Sequence, residues 1–367
     1  MTHKVLYIGG FELPDKNAAA QRVLSIAKAL RDAKYEVLFY GITKSEDFKG
    51  EVCGFSYEAY PYPASTRDWI RYAVGIDIIS YIKKINPNYI ITYNYPAVAQ
   101  ERIIRFCRKR GIKVIGDITE WYASSNFVKR VDITLRMRWS NKHLDGIIAI
   151  SKYLHNYYSQ KKVLLLPPLV DSHEEKWGKK CNESNSNAIR LIYAGSPGGG
   201  KDRLDYILKG ISKVDSQKFI LDIVGITEKQ YSEIYGIDNK NCNVSINFHG
   251  RIPHIQVVEL LKKSDFQIFF RDYTRVNNAG FPTKLVESIS AGIPVIVNDI
   301  SNISDYIVDG FNGFIISIPS EEAILKVLHK VALLSNDDIK ILKLNINQNT
   351  FDYRNYVSSI VLFMNNL

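Results

Sequence analysis

Short apolar runs alternate with longer amphipathic ones, and this alternation constrains the chain more than any other feature. Strands are predicted over 4–9, 36–40, 89–92, 113–116 and 146–150, and a second series over 190–195, 219–225, 244–248, 266–270 and 294–298. They are nearly continuous in apolar residues, the pattern of strands buried on both faces. Between them lie helical patterns. In 18–32, Val23, Ile26, Ala27 and Leu30 make one face, with Asn17 as N-cap; in 255–263, Val257, Val258, Leu260 and Leu261 do the same. Such alternation predicts βαβ units and parallel sheets.

The alternation breaks once. Residues 171–187 (DSHEEKWGKKCNESNSN) are polar and follow Pro167-Pro168. The expected organisation is therefore an N-terminal domain over 1–171, a linker over 172–187 and a second domain over 188–350, with a helix over 351–367 packing back on the first. The fold class is α/β: two Rossmann-like, doubly wound, parallel-sheet domains facing a cleft, with ligand at the C-terminal ends of the strands.

Charge divides along the same line. The 367 residues carry a net +10, yet residues 1–171 hold 26 basic and 16 acidic side chains and the remainder 22 of each. One lobe is expected to meet something anionic. A 46% apolar content excludes disorder. Four scattered Cys without C-x-x-C spacing exclude a disulfide scaffold and point to a reducing compartment. The first residues lack a signal-peptide core, and no apolar run approaches the roughly 20 residues of a membrane span. The expected location is the cytoplasm, with the inner face of the plasma membrane as a surface the protein meets.

Four stretches carry residues suited to chemistry. Gly195-Ser196-Pro197-Gly198-Gly199-Gly200-Lys201-Asp202 joins a strand to the helix expected at 204–211. A glycine-rich turn there lets backbone amides approach phosphate, and Lys201 adds a mobile cation. The spacing nearly spells a P-loop, but Asp202 replaces the Ser or Thr that would ligate Mg²⁺. A flexible connection bearing a surface lysine is the plainer alternative. A second strand ends at Arg271-Asp272, and a loop with Gly280 and Pro282 leads into a helix at Thr283 whose first amides can face an anion. Glu287, one turn in, suits the vicinal hydroxyls of a ribose; the alternatives are a dipole-complementing acid for Glu287 and an ion pair with Asp272 or a neighbour for Arg271. In the third, Asp117 and Glu120 follow a first-domain strand with Trp121 and Tyr122, pointing into the cleft or capping the loop. The fourth, 102–142, contains Arg102, Arg105, Arg108, Lys109, Arg110, Lys113, Lys129, Arg130, Arg136, Arg138 and Lys142, interleaved with Trp121, Phe127 and Trp139. It suits anionic lipid or is a set of solvated helix faces. No nucleic-acid motif accompanies it, and the seven His form no H-E-x-x-H, so neither a nucleic-acid partner nor a metal site is expected.

In this order the pieces resemble retaining, nucleotide-sugar glycosyltransferases of the group 1 or family 4 type, with the GT-B fold. The resemblance rests on Tyr7-Ile8-Gly9-Gly10, on Asp145 through Ser151, on Leu165-Leu166-Pro167-Pro168-Leu169-Val170-Asp171, on Phe248-His249-Gly250-Arg251, and most specifically on Lys284-Leu285-Val286-Glu287 through Ala291-Gly292-Ile293-Pro294. It implies a metal-independent, retaining, hexosyl-type enzyme. The donor is a UDP- or GDP-linked sugar, no further cofactor is required, and the acceptor is a glycan or lipid-linked glycan of bacterial surface-polysaccharide assembly. Lys201 is then assigned to the diphosphate, with Arg271 or Lys284 as second cation. Gly9, Gly10, Gly195, Ser196, Gly280, Phe281, Thr283 and Leu285 belong to the donor site, many through backbone amides. Arg251 or Ile252 lies beside the base, Glu287 holds the ribose, and Asp117 or Glu120 orients acceptor or donor sugar. Two departures stand out: Ala279 occupies the place of the family's first acid, and Ser196 that of an Arg. A non-catalytic nucleotide-sugar or polysaccharide-binding protein on the same fold, and a P-loop-like NTPase, are the competing expectations.

Overall fold

The computed structural model describes residues 3–13, 18–46, 48–178, 188–197, 201–215, 217–236 and 244–367. Asn17, Gly198, Gly199, Gly200 and most of the expected linker, 179–187, lie outside them. The chain forms two compact units: Met1–Val170 with Ala279–Phe281 and Asp352–Leu367, and Asp171–Asn278 with Pro282–Phe351.

The first unit is built on an eight-stranded sheet of order β3-β4-β2-β1-β5-β6-β7-β8. Its central strand β1 (Lys4–Gly9) pairs in parallel with β2 (Glu36–Thr43) and β5 (Tyr89–Tyr93), and β6 (Lys113–Ile118), β7 (Gly146–Ala149) and β8 (Val163–Leu165) continue on the β5 side. Val5, Leu6 and Tyr7 are fully buried in succession, as a central parallel strand covered on both faces requires. Helix α1 (Ala18–Asp32) lays Val23, Ile26, Ala27 and Leu30 on this sheet. At the far edge β3 (Lys49–Val52) and β4 (Phe55–Pro61) make an antiparallel hairpin. Its turn, Cys53-Gly54, has both φ angles positive, the conformation that suits the right-handed twist of a two-residue hairpin. Helices α2 (Thr66–Val74), α3 (Ile78–Ile85), α4 (Ala97–Arg108), α5 (Phe127–Arg138) and α6 (Lys152–Tyr157) fill the connections. The final helix of the chain, Val357–Asn365, belongs to this unit, with Ile360, Phe363 and Met364 in its core.

The second unit has an all-parallel six-stranded sheet of order β11-β10-β9-β12-β13-β14. From β9 (Ile189–Ala194) the chain builds outward through α7 (Leu204–Ile211), β10 (Phe219–Val224), α8 (Glu228–Tyr235) and β11 (Ser245–Gly250). After α9 (His254–Lys262) it returns to the other side of β9 with β12 (Phe266–Phe269), α10 (Arg275–Ala279), α11 (Thr283–Ala291), β13 (Val295–Asn298) and β14 (Gly313–Ile316). Strand order thus reverses between β9 and β12, and ligands of open α/β sheets bind outside such a point. Helices α12 (Glu321–Ala332) and α13 (Asn336–Leu344) complete the unit. Of the expected linker, 172–178 packs here, with Trp177 buried beside His254. Among the described residues no helix is long and apolar enough to cross a membrane.

Candidate functional site

The strongest concentration of charge lies at the β9–β12 reversal. Asp202, only 1% exposed, accepts from Arg271 Nε at 2.6 Å through Oδ1. Its Oδ2 accepts from Lys284 Nζ at 2.6 Å and from the Tyr193 hydroxyl at 2.8 Å. Each member comes from a different element for a local reason. Tyr193 is the penultimate residue of β9. The amide of Asp202, like that of Lys201, donates to the Pro197 carbonyl. Arg271 leaves β12, where its amide donates to Asn298 Oδ1 while Asn298 Nδ2 donates to its carbonyl, clamping two strand ends together. Lys284 is in the first turn of α11, whose N-terminus has no side-chain cap.

Backbone shape makes room for the ammonium. Gly195 has φ +133°, and a Cβ there would stand 2.7 Å from Lys284 Nζ. Gly225, at φ +104°, would press a Cβ to within 2.6 Å of the Gly195 carbonyl carbon. Both positions therefore need glycine. Lys284 Nζ also lies 5.1 Å from the centre of the Tyr193 ring, a cation–π distance.

Electrostatics follow. Burial pushes the Asp202 carboxyl up, but Lys284 and Arg271 outweigh it and hold the group well below the usual carboxylate range. Burial lowers the Lys284 ammonium, with Asp202 opposing and Arg271 adding to the fall. Burial and then Asp202 raise Tyr193 well above an ordinary phenol. Two cations, one anion and a neutral phenol leave one positive charge in excess at the mouth of a parallel sheet.

The remaining predicted residues of this unit are placed as follows. Lys201 is half-buried beside Asp202, and Ser196 and Thr283 are exposed. Arg251 is exposed and Ile252 half-buried after β11; Leu285 is buried within α11. Glu287 Oε1 lies 3.2 Å from His254 Nε2, so the expected ribose acid has a histidine partner. Gly280 and Phe281 are buried and group with the first unit, where the neighbouring Ala279 carbonyl accepts from Ser151 Oγ at 2.8 Å. Arg271 is ion-paired, as its alternative reading had it, but with Asp202 and not with Asp272, which takes Arg203 at 3.0 Å.

In the first unit Asp117 departs from expectation. It is fully buried and does not point outward. Arg22 donates to it through Nη2 at 2.7 Å and Nε at 3.0 Å, and the Tyr7 hydroxyl at 2.5 Å. Arg22 Nη1 goes on to the carbonyls of Leu166 and Pro167. A buried carboxylate with every oxygen engaged is an anchor for β1, α1 and β6. Glu120, just beyond β6, is half-buried. Gly9 touches Tyr93, where a Cβ would meet Tyr93 Cβ at 2.6 Å, while Gly10 is exposed. Gly9 also lines a small pocket with Tyr40, Gly41, Tyr60, Tyr72 and Tyr95, beside the Arg71–Asp77 pair at 2.9 Å. Burial, then Asp77, pushes the Tyr40 phenol up to about 12.

Several residues of these sites carried no chemical signal in the sequence. Tyr193 reads as one apolar member of a strand, and Asp202 reads only as the residue that spoils a P-loop. Arg22 alone offered a hint, as a charge in the middle of an apolar helical face.

Two α/β units, one on a mostly parallel eight-stranded sheet and one on a parallel six-stranded sheet, match solved structures of the GT-B fold. A sucrose-phosphate synthase from Thermosynechococcus elongatus superimposes with a TM-score of 0.77 at 11% identity, over 99% of this chain and 98% of that one. HepE from Anabaena, solved with UDP and glucose, gives 0.73 at 13% identity over 100% of both. Residues 199–349, which fall largely in the second unit, match the family described as glycosyl transferases group 1. An uncharacterized glycosyltransferase of Methanocaldococcus jannaschii is 23% identical over 210 residues, 54% of this chain. The match spans about half of that relative, 52% of its length.

Proposed function

We propose that the protein is a group 1 glycosyltransferase that moves a sugar from a nucleotide-diphosphate donor to a glycan or lipid-linked glycan acceptor, with retention of anomeric configuration. What carries this reading is the convergence of Arg271 and Lys284 on Asp202 at the β9–β12 reversal. Two buried cations balanced by one carboxylate form a site with net positive charge, and a diphosphate is the ligand that such charge stabilises most as its leaving-group bond breaks. No protein nucleophile or metal is invoked. The bond from the sugar's anomeric carbon to the β-phosphate oxygen breaks, and the acceptor hydroxyl bonds to the same face. Its proton passes to the departing phosphate. Arg271, Lys284 and Lys201 take up the charge that develops on that phosphate. The uncapped amides of α11 add to them. Glu287 holds the ribose, with His254 orienting it.

On the acceptor side we assign Glu120, and Asp117 only the role of holding Arg22. The basic first unit suits an anionic membrane surface and the cytoplasmic assembly of surface polysaccharide. UDP is the first nucleotide to try, because HepE was solved with it. Isothermal titration with UDP and GDP, paired with sugar-nucleotide turnover, tests the reading. Tight diphosphate binding that Lys284→Ala weakens, together with turnover, supports it. Binding without turnover favours the non-catalytic alternative that Ala279 suggests, and Mg²⁺-dependent ATP hydrolysis would favour an NTPase.

A further inference from the structure

Helix α5 exposes an apolar side to solvent. Of its residues only Arg136 and Met137 are buried. Phe127, Val128, Val131 and Leu135 are 67, 74, 40 and 44% exposed. At spacings of one, three and four they lie along one side of the helix, and that side faces away from the core. Helix α2 buries none of its residues and exposes Trp69 and Ile70. The two helices are neighbours, since Lys129 Nζ of α5 lies 5.9 Å from the Trp69 ring centre. Apolar side chains scattered singly on a surface need no explanation, but four along one side of a helix do.

The charges around this set are of one sign. Arg67, Lys129, Arg130 and Arg138 are exposed. The acids of the same helices are turned to other duties. Asp68 accepts from Ser65 N and Oγ at 3.1 and 2.7 Å, and Asp132 accepts from the Ala97 amide at 2.8 Å. An apolar centre with a cationic rim complements an anionic bilayer. Phe and Trp enter the interfacial layer, and Lys and Arg stay at the phosphates. A second copy of the same face would bring like charges together, and a nucleic acid would leave the apolar centre uncovered.

We propose that α5 forms the surface by which this protein docks on an anionic lipid bilayer, with Phe127, Val128, Val131 and Leu135 inserted. The inference rests on the reading of the first unit as the acceptor lobe, and it assigns the lipid contact to specific side chains. The test is co-sedimentation of the full chain with vesicles of phosphatidylglycerol or of phosphatidylcholine. Wild type is expected to bind the phosphatidylglycerol vesicles and to release as salt rises. Phe127→Ser with Val131→Ser should lower that partition coefficient roughly tenfold or more, with unchanged circular dichroism. Lys129→Glu with Arg130→Glu should weaken binding to phosphatidylglycerol alone. Wild type left in the supernatant, or an apolar variant that sediments like wild type, overturns the proposal. So does a dimer in sedimentation velocity that the apolar variant dissolves, because the face is then a protein contact. UDP binding is measured on the same proteins without lipid. Its loss in wild type alongside intact vesicle binding tells against the glycosyltransferase reading and supports the docking surface.

Discussion

Lys284 Nζ lies 2.6 Å from Asp202 Oδ2 and also presses on Gly195, where a Cβ would come within 2.7 Å of it. One ammonium is thus held between a carboxylate and a bare backbone, and Arg271 takes the other oxygen of the same carboxylate.

Asp202→Asn should leave Arg271 and Lys284 facing one another uncompensated. Removing one partner of a buried ion group costs about 3–5 kcal/mol. The ligand-free melting temperature is expected to fall, and UDP or GDP should raise it by more than in wild type, because the diphosphate now supplies the counter-charge that Asp202 gave. Thermal shift with and without nucleotide reads both. A variant that gains no more from nucleotide than wild type would sink the idea that Asp202 and the diphosphate share these cations.

The pH dependence has two limbs of known sign. Lys284 has a folded value below its unfolded one, so it loses its proton early as pH rises, and the site loses a cation with it. kcat/KM for the donor should therefore fall on the alkaline side below the ordinary lysine value of about 10.4, and Lys284→Arg should move that limb upward. Asp202 is depressed, so its contribution to stability is complete above the ordinary aspartate value of about 3.9 and is lost as pH falls further. Urea melts across acid pH, wild type against Asp202→Asn, measure the second limb.

Glu287→Gln should weaken UDP binding about 10- to 100-fold, the range of a hydrogen bond to a charged group. The informative comparison is UDP against its dideoxyribose analogue. Wild type should discriminate between them, and the variant should not. Equal discrimination in both would remove Glu287 from the ribose.

Asp117→Ala should destabilise the first unit by about 3–5 kcal/mol, since Arg22 is left charged and buried. Arg22→Met combined with Asp117→Leu should recover much of that loss. Chemical denaturation of wild type, Arg22→Met, Asp117→Leu and the double variant gives the coupling directly, and additive single effects would contradict it.

The alternation of apolar runs was enough to read the parallel sheets, because strands buried on both faces have little freedom in composition. β1, α1 and α7 fall where their patterns predict. The hairpin of β3 and β4 was not legible: Lys49–Val52 is largely polar and Phe55–Pro61 mixes aromatics with an acid, as an exposed sheet edge permits. β8 and β14 were too short to show a period. In the candidate site, Arg271 and Lys284 were legible as cations near phosphate-binding turns. Their common partner was not, because Asp202 is 69 residues from one and 82 from the other, and only the sheet order brings them together. Asp117 shows the opposite failure. A carboxylate at a strand end looks like chemistry until burial and Arg22 are known.

The helix Val357–Asn365 sits in the core of the unit that begins with β1, and Gly146 is bare because a Cβ there would meet Phe363 at 2.7 Å. During synthesis the ribosome therefore releases the first sheet long before the helix that covers part of it. The second unit is contiguous enough to close earlier. The half of the chain made first is the half that finishes folding last, and until then its uncovered flank is exposed to chaperones and proteases.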